Sequence, residues 1–455
     1  MKQKRGSVTM DLLHEPVGST LLRFSLPFML STLLQTLYST TDTVIVGQYL
    51  GSAGLSAVSN GSQLMQLLYM LCIGFSAAGQ VLIAQAEGAG AHDKTKRVIG
   101  TLFVLELILS LVIGAACVLF SRQLLTLLKT PEEALTQARY YTAICGTGMI
   151  FTGLYNMLSA VLRGMGDSRH PLLFVFIASL CNVVLDIVFI TVFDWNVAGT
   201  ALATVIGQAV SVVFSFFFLK KHAQQLRFGT DLKALAPDRA TAGKLLKLGV
   251  PIAIQGGAVQ FSFLFVNRMV NSLGLTVSAA FGVAQKLRNL PGILTQGLQM
   301  GAASIMGQNW GAQKLDRVSS TVKWCILFST LICISFGLVF YFFPELCFRA
   351  FTQDETVLAF AGLCMFSLVV ELPAKCFMTG CGSLVNAQGF VQFSFIMAFV
   401  DAFAGRILFC WLLGTVMNMG ALGFFLGYSA GTYLTAIPQL IYYVSGLWKR
   451  RKVLV

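Results

Sequence analysis

Long apolar stretches recur along the whole chain, and they limit its fold more than any other feature. Of the 455 residues, 56% are hydrophobic and 11% are charged, whereas about a quarter of the residues in a soluble domain are charged. About 20 apolar residues in a helix cross the roughly 30 Å of bilayer hydrocarbon. Backbone in hydrocarbon must satisfy its own hydrogen bonds, so only helices or a closed barrel can cross it. Apolar runs without alternation indicate helices, and the sequence therefore predicts an all-α polytopic membrane protein.

Twelve stretches are long and apolar enough to be membrane spans. They are predicted at 22–48, 54–82, 98–120, 137–161, 171–193, 196–219, 248–272, 277–304, 320–343, 357–384, 390–415 and 419–446. Lys and Arg concentrate at both ends of the chain and in the even-numbered loops. The positive-inside rule then predicts that both termini are cytoplasmic. We expect the chain to lie in the cytoplasmic (inner) membrane. The same rule accounts for the net charge of +13. We therefore expect the basic loops to contact anionic membrane lipid, and we expect no nucleic-acid partner.

The chain also repeats itself at offsets close to 220 residues. Four pairs of segments match in the same order. They are LGSAGLSA at 50–57 with LGLTVSAA at 273–280, EGAGAHDKTKRV at 87–98 with NWGAQKLDRV at 309–318, RGMGDSRHP at 163–171 with NAQGFVQFS at 386–394, and NVAGTALA at 196–203 with NMGALGFF at 418–425. This predicts two six-helix lobes related by a parallel pseudo-two-fold repeat. The predicted parts are a cytoplasmic N-terminus at 1–21, an N-lobe at 22–219, a basic linker at 220–247, a C-lobe at 248–446 and a cytoplasmic tail at 447–455.

Polar side chains lie at one depth in three spans of the N-lobe. Asn182 and Asp186 are four residues apart and share a face of the fifth span. Helix rise places Asp186 roughly 10 Å below the outer surface, as it does Asp42 in the first span, and Thr204 in the sixth span roughly 12 Å below it. Tyr38 lies one turn from Asp42. Ionisable residues at this depth normally face the protein interior or water, so these five residues are predicted to form one intramembrane cluster.

The residue types of this cluster suit the binding and release of a cation. Two carboxylates in a poorly hydrated site cannot both ionise cheaply, so one is expected to hold a proton near neutral pH. Oxygen atoms of Asp42, Asn182, Asp186 and Thr204 would also suit a dehydrated Na⁺. The alternative is that each Asp forms only local hydrogen bonds, without coupling between them. The predicted coupling ion is H⁺ or Na⁺, and no other metal or cofactor is expected.

Several motifs of the N-lobe resemble those of the multidrug and toxic compound extrusion family. They are LRGMGDSRHP at 162–171, NVVLD at 182–186, VAGTALAT at 197–204, and the first-span pattern of Pro27 with Asp42. The resemblance implies two six-helix lobes around a V-shaped cavity. It also implies export of cationic, amphipathic organic compounds in exchange for H⁺ or Na⁺. The pattern is similar to that of the archaeal and bacterial branch in which coupling lies in the N-lobe. This resemblance implies coupling at Asp42, Asn182, Asp186 and Thr204, and a bend of the first helix at Pro27.

The C-lobe departs from the sodium-linked branch of that family. Its seventh span has no acidic residue and carries Gln255 instead. Its tenth span carries Glu371, which is predicted to form an ion pair with Lys375 one turn on. Arg288 in the eighth span is predicted to form an ion pair across the C-lobe or to line its cavity. These four residues are the candidates for a C-lobe cavity.

Two other functions stay open. The first is a flippase for lipid-linked precursors, which commonly has fourteen spans and a strongly cationic cavity. The second is a membrane-embedded enzyme, but the four histidines all fall in loops or termini. No GxxxxGK[ST] motif occurs, so ATP-driven transport is unsupported. We expect a transporter without catalytic residues, acting as a monomer on a small organic cation.

Overall fold

The computed structural model describes residues 9–128, 130–223 and 236–455, with the side chain of residue 52 left out. The described regular elements are helices. They are α1 (Val17–Gly51), α2 (Ala53–Gly88), α3 (His92–Leu127), α4 (Glu132–Thr147), α5 (Met149–Met165), α6 (Arg169–Thr191), α7 (Asn196–Lys221), α8 (Arg239–Asn271), α9 (Leu275–Gly311), α10 (Leu315–Phe342), α11 (Pro344–Arg349), α12 (Glu355–Leu358), α13 (Ala361–Ala387), α14 (Val391–Val416) and α15 (Gly420–Val444). Positions 1–8 of the predicted N-terminus and 224–235 of the predicted linker lie outside the described residues.

The long helices account for the twelve predicted spans. Over the described chain, nine helices are long and apolar enough to cross a membrane, or ten when α4 and α5, which meet at 48°, count as one span. Two further helices, α9 with 37 residues and α15 with 25, correspond to the eighth and twelfth predicted spans. At 1.5 Å per residue both exceed the thickness of the hydrocarbon core. The all-α, twelve-span prediction is therefore confirmed.

Turns at equivalent positions support the internal repeat. Backbone with positive φ occurs in each of the four matched segment pairs, at Gly51 and Gly274, Gly90 and Gln313, Gly166 and Gly389, and Asn196 and Asn418. Their offsets are 223, 223, 223 and 222 residues. Positive φ is uncommon outside glycine and asparagine, so a shared set of such turns indicates that both halves reverse direction in the same way.

The chain folds into two compact units, which are described separately. The first unit contains residues 30–253 and is organised around a core that includes Val46, Val58 and Tyr141. The start of α8 lies here, capped by Asp238, whose carboxylate accepts hydrogen bonds from the Thr241 hydroxyl at 2.6 Å and backbone N–H at 2.8 Å. These bonds hold the pKa of Asp238 below its usual value.

The second unit contains residues 254–454 together with Leu12–Met29, which include the beginning of α1. Within this unit, a side chain at Gly297 or Gly301 of α9 would meet the backbone of Met29 or Ser25. Small residues four apart allow two membrane helices to approach closely. Pro27, which is buried, lies between these two contacts. The predicted bend at Pro27 stays a prediction.

Helix α14 is irregular and packs unusually close to α15. Two of its segments, Val400–Leu408 and Leu412–Val416, are π-helical. Gly423, Gly427 and Gly431 form a stripe on α15 that faces the α14 backbone. A Cβ at Gly427 would lie 2.6 Å from the Cys410 nitrogen. The absence of side chains along this stripe therefore permits backbone contact.

We expect Gly427→Ala to destabilise the protein by about 1–3 kcal/mol, because the added methyl group would force α14 and α15 apart. Thermal unfolding of the purified protein in detergent would measure this effect. Gly257→Ala is the matched control, since a Cβ there would meet nothing within 4 Å. Equal unfolding temperatures for the two variants would contradict the role of the glycine stripe.

Candidate functional site

Two acidic side chains face each other inside the first unit. Asp42 on α1 is 9% exposed and Asp186 on α6 is fully buried. Their carboxyl groups are close enough to interact electrostatically. No donor in the described chain reaches Oδ1 of Asp42 or either carboxyl oxygen of Asp186. The pair is therefore incomplete without a proton or a cation, because buried polar atoms without partners are costly.

The other three predicted residues of the cluster surround this pair. Asn182 Nδ2 donates to the Thr204 hydroxyl at 3.3 Å, and that hydroxyl donates to the Thr200 carbonyl at 3.1 Å. The Tyr38 hydroxyl lies beside Thr204, with both carboxyl groups nearby. The structure thus brings together all five residues that the sequence pattern grouped by depth. Whether they act in coupling stays a prediction.

A small cleft adjoins the cluster. Tyr38, Asn182 and Thr204 line it. The other lining residues, which the sequence analysis did not single out, are Gln35, Tyr155, Val175, Ala178, Ser179, Gly207, Gln208 and Ser211. Helical spacing signals two of these residues, since Gln35 lies three residues before Tyr38 and Gln208 four after Thr204. The cleft gives a small polar ion or group access to the edge of the carboxylate cluster.

The oxygen atoms of the cluster are compatible with Na⁺ as well as with a proton. The Oδ1 atom of Asn182 is buried without a donor, like the oxygens of the carboxylate pair. Together with the Thr204 hydroxyl, these atoms form an oxygen-only set of the kind that hard cations prefer. No group of three or more His, Cys, Asp and Glu side chains that could hold a metal occurs in the described part of the chain. The residue types of the cluster therefore suit a cation that is bound by oxygen atoms.

A third buried acid of the first unit, Glu106, lies on α3. It is fully buried, and its Oε1 accepts a hydrogen bond from the Ser76 hydroxyl at 2.8 Å. Its Oε2 is buried with no donor among the described residues. The basic residue of α5, Arg163, donates to the Gln80 side chain at 2.8 Å and not to Glu106. Glu106 is thus a separate buried acid, held by a hydroxyl donor.

One predicted ion pair in the C-lobe is wrong. Glu371 on α13 forms a salt bridge with Arg288 on α9 at 2.9 Å, and it has no such bridge to Lys375 on its own helix. Sequence spacing favours a pair within one helix, but the close packing of α9 against α13 offers the guanidinium of Arg288 instead. The prediction that Arg288 pairs across the C-lobe agrees with this geometry.

The C-lobe candidates only partly converge. Arg288, Glu371 and Lys375 line one small cleft. Gln255 on α8 is half-buried and is not among the residues lining that cleft. Its position in the seventh span therefore did not predict its neighbours.

Comparisons with known proteins agree with the repeat and with the fold. The family model described as MatE matches the chain twice, at residues 27–188 and 251–412. The chain is 26% identical over 443 residues to YpnP, a probable multidrug resistance protein of Bacillus subtilis, covering 97% of this chain and 98% of that protein. It is 24% identical to the probable multidrug resistance protein NorM of Thermotoga maritima, covering 96% and 94%. A crystal structure of MATE in the straight conformation superposes with a TM-score of 0.91 at 21% identity, covering 99% and 100%.

We expect the Asp42–Asp186 pair to hold one proton at neutral pH in the absence of Na⁺, because no basic side chain neutralises it among the described residues. Infrared spectroscopy of the reconstituted protein would detect the protonated carboxyl band. Asp186→Asn should weaken this band, because Asp42 would no longer face a second carboxylate and would then ionise more readily. Asp194→Asn, at an exposed acid beyond the end of α6, is the control. An undiminished band in Asp186→Asn would contradict a shared proton.

Proposed function

The chain belongs to the MatE family, and on this premise we propose that it is a secondary antiporter. It exports cationic, amphipathic organic compounds in exchange for a coupling cation, by alternating access of its two lobes. The observation that carries the proposal is the carboxylate pair of Asp42 and Asp186, of whose four carboxyl oxygens three are buried and lack donors among the described residues. The multidrug resistance proteins of Bacillus subtilis and Thermotoga maritima, which align along nearly the whole chain, support the substrate class.

Antiport follows from competition for the same negative charge. When the pair is ionised, its charge favours the entry of an organic cation nearby. When a proton or Na⁺ binds, that charge is cancelled and the organic cation is released. Since a cluster that is empty of both cations keeps unneutralised charge at membrane depth, the state without either ligand is disfavoured. One ligand therefore exchanges for the other, as coupling requires.

Asn182, Thr204 and Tyr38 are proposed to position the pair. The bond from Asn182 to Thr204 leaves the Asn182 carbonyl oxygen free. That oxygen can accept a bond from a protonated carboxyl group or coordinate Na⁺ directly. The driving force is adequate, because one charge that moves through 100 mV contributes about 2.3 kcal/mol. We favour H⁺ because a shared proton satisfies two facing carboxylates without further ligands.

A flippase for lipid-linked precursors stays the second candidate from sequence, but its strongly cationic cavity does not fit the acidic cluster of α1 and α6. Membrane-embedded catalysis has no supporting metal-binding constellation of residues in the described chain.

We expect efflux of a fluorescent organic cation from proteoliposomes to follow an imposed pH gradient and to fall at least about tenfold in Asp186→Asn. The substitution removes the charge for which both cations compete and keeps the shape of the side chain. Separate pH and Na⁺ gradients, each with the membrane potential clamped, would identify the coupling ion. Asp194→Asn should transport like the unsubstituted protein. Gradient-driven efflux that persists in Asp186→Asn would overturn the proposal, and efflux driven by Na⁺ alone would change the ion.

A further inference from the structure

Five charged side chains lie buried or half-buried within the membrane-spanning helices of the second unit, on α9, α13 and α14. They are Arg288, Glu371, Lys375, Asp401 and Arg406. Four of them form two salt bridges, Arg288 with Glu371 and Arg406 with Asp401, each at 2.9 Å. The second bridge joins residues five apart, which the π-helical turn of α14 brings onto one face. These pairs neutralise each other and leave Lys375 as the fifth charge.

The two arginines are held by a common aromatic side chain. The guanidinium groups of Arg288 and Arg406 lie 4.2 and 4.9 Å from the ring centre of Tyr428 on α15. Arg406 also donates to the Tyr428 hydroxyl at 3.0 Å, and Arg288 donates to the Ser429 hydroxyl at 3.2 Å. Both cations are thus fixed in position by cation–π contacts and hydrogen bonds. Arg288 still has a buried Nε donor without a partner in the described chain.

Lys375 points to where α13 passes α9. A Cβ built on Gly292 of α9 would lie 3.3 Å from the Lys375 Nζ, so the missing side chain of Gly292 makes room for the ammonium group. No hydrogen bond or salt bridge of that ammonium group is found among the described residues. Lys286 on α9, by contrast, lies 5.7 Å from the ring centre of Phe351 and outside this cleft. Lys375 is therefore the cation of this interior that forms no salt bridge in the described chain, although Glu371 lies one turn away and attracts it.

The cleft beside Lys375 has one polar and one apolar wall. Arg288, Glu371 and Lys375 form the polar wall. Pro291, Phe340, Leu368 and Leu372 form the apolar wall. Because Glu371 is already paired with Arg288, the free positive charge of Lys375 and the free Nε of Arg288 both suit an anion. The apolar wall suits the hydrocarbon or aromatic body attached to it.

We propose that this C-lobe cleft binds the carboxylate of an amphipathic organic compound, with Lys375 as the principal counter-charge and Arg288 as a second donor. The inference rests on the proposed export function and narrows its substrate class to zwitterions, that is, organic cations that also carry a carboxylate. It differs from the expectation of a purely cationic substrate. The reason is that an unmatched buried cation is stabilised by an anion and disfavours a second cation.

Equilibrium binding to the purified full-length protein in detergent would test the proposal. The probe is a fluorescent naphthalene carboxylate, compared with its neutral primary amide of the same shape. We expect the carboxylate to bind and the amide to bind at least about tenfold more weakly. Lys375→Met should weaken carboxylate binding by a similar factor, whereas Lys375→Arg, which keeps the charge, should largely preserve it. Lys286→Met is the matched control and should bind like the unsubstituted protein.

A second variant and a competition experiment with chloride complete the test. If Lys375→Met does not fold, Gly292→Val offers a second route, because its side chain would crowd the ammonium group and should likewise weaken carboxylate binding. Sodium chloride titrations at constant ionic strength compare the organic carboxylate with an inorganic anion. Equal affinity for carboxylate and amide, undiminished binding in Lys375→Met, or complete displacement of the probe by equimolar chloride would each overturn the proposal.

Asp186→Asn separates this inference from the proposed function. That variant should bind the carboxylate probe normally while losing gradient-driven export. If carboxylate binding does not depend on Lys375 while Asp186→Asn still loses export, the carboxylate site is contradicted and the antiport mechanism stands. If Asp186→Asn exports normally while carboxylate binding depends on Lys375, the antiport mechanism is contradicted and the carboxylate site stands.

Discussion

Charge inside a hydrocarbon medium must be neutralised, and the interior of this protein is arranged around that requirement. In the second unit, Arg288 and Arg406 each meet an acid at 2.9 Å. In the first unit, Asp42 and Asp186 face each other, and three of their four carboxyl oxygens lack donors in the described chain. The cost of leaving a charge unpaired is far larger at membrane depth than in water. A site with unpaired charge therefore requires a charged ligand from outside the protein. We propose that such ligands bind at the unpaired charges.

The two halves share a scaffold but differ in the sign of their unpaired charge. Positive-φ turns recur at matched positions, such as Gly51 with Gly274 and Gly166 with Gly389, so the same helical frame is built twice. On that frame, the described part of the first unit carries acids without basic partners, and that of the second carries Lys375 without an acidic one. Duplication supplies the geometry, because turns depend on local backbone preferences. Divergence of a few buried residues supplies the chemistry, because one side chain changes the local charge completely.

The residues of the site in the first unit could be grouped from sequence, because the depth of a residue in the membrane follows from its position along its span. Helix rise and span boundaries place Asp42, Asp186 and Thr204 at similar levels, and the structure brings them together. The same reasoning does not give rotation about each helix axis. For this reason it missed Gln208 as a cleft residue and grouped Gln255 with residues that line a different surface. It also assigned Glu371 to Lys375, since partners on a neighbouring helix cannot be read from spacing within one helix.

The sequence by itself determined that the chain lies in a membrane, that it forms helices and that it contains an internal repeat. Apolar runs longer than the bilayer is thick leave only helices possible, and collinear matches such as LGSAGLSA with LGLTVSAA require two copies of one unit. The tertiary structure alone decided which charges meet. Arg288 bridges to Glu371 because α9 packs against α13, and Asp401 reaches Arg406 because α14 contains a π-helical segment. Salt bridges depend on distances of a few ångströms between helices, and those distances are set by packing, such as that along the glycine stripe of α15, rather than by hydropathy.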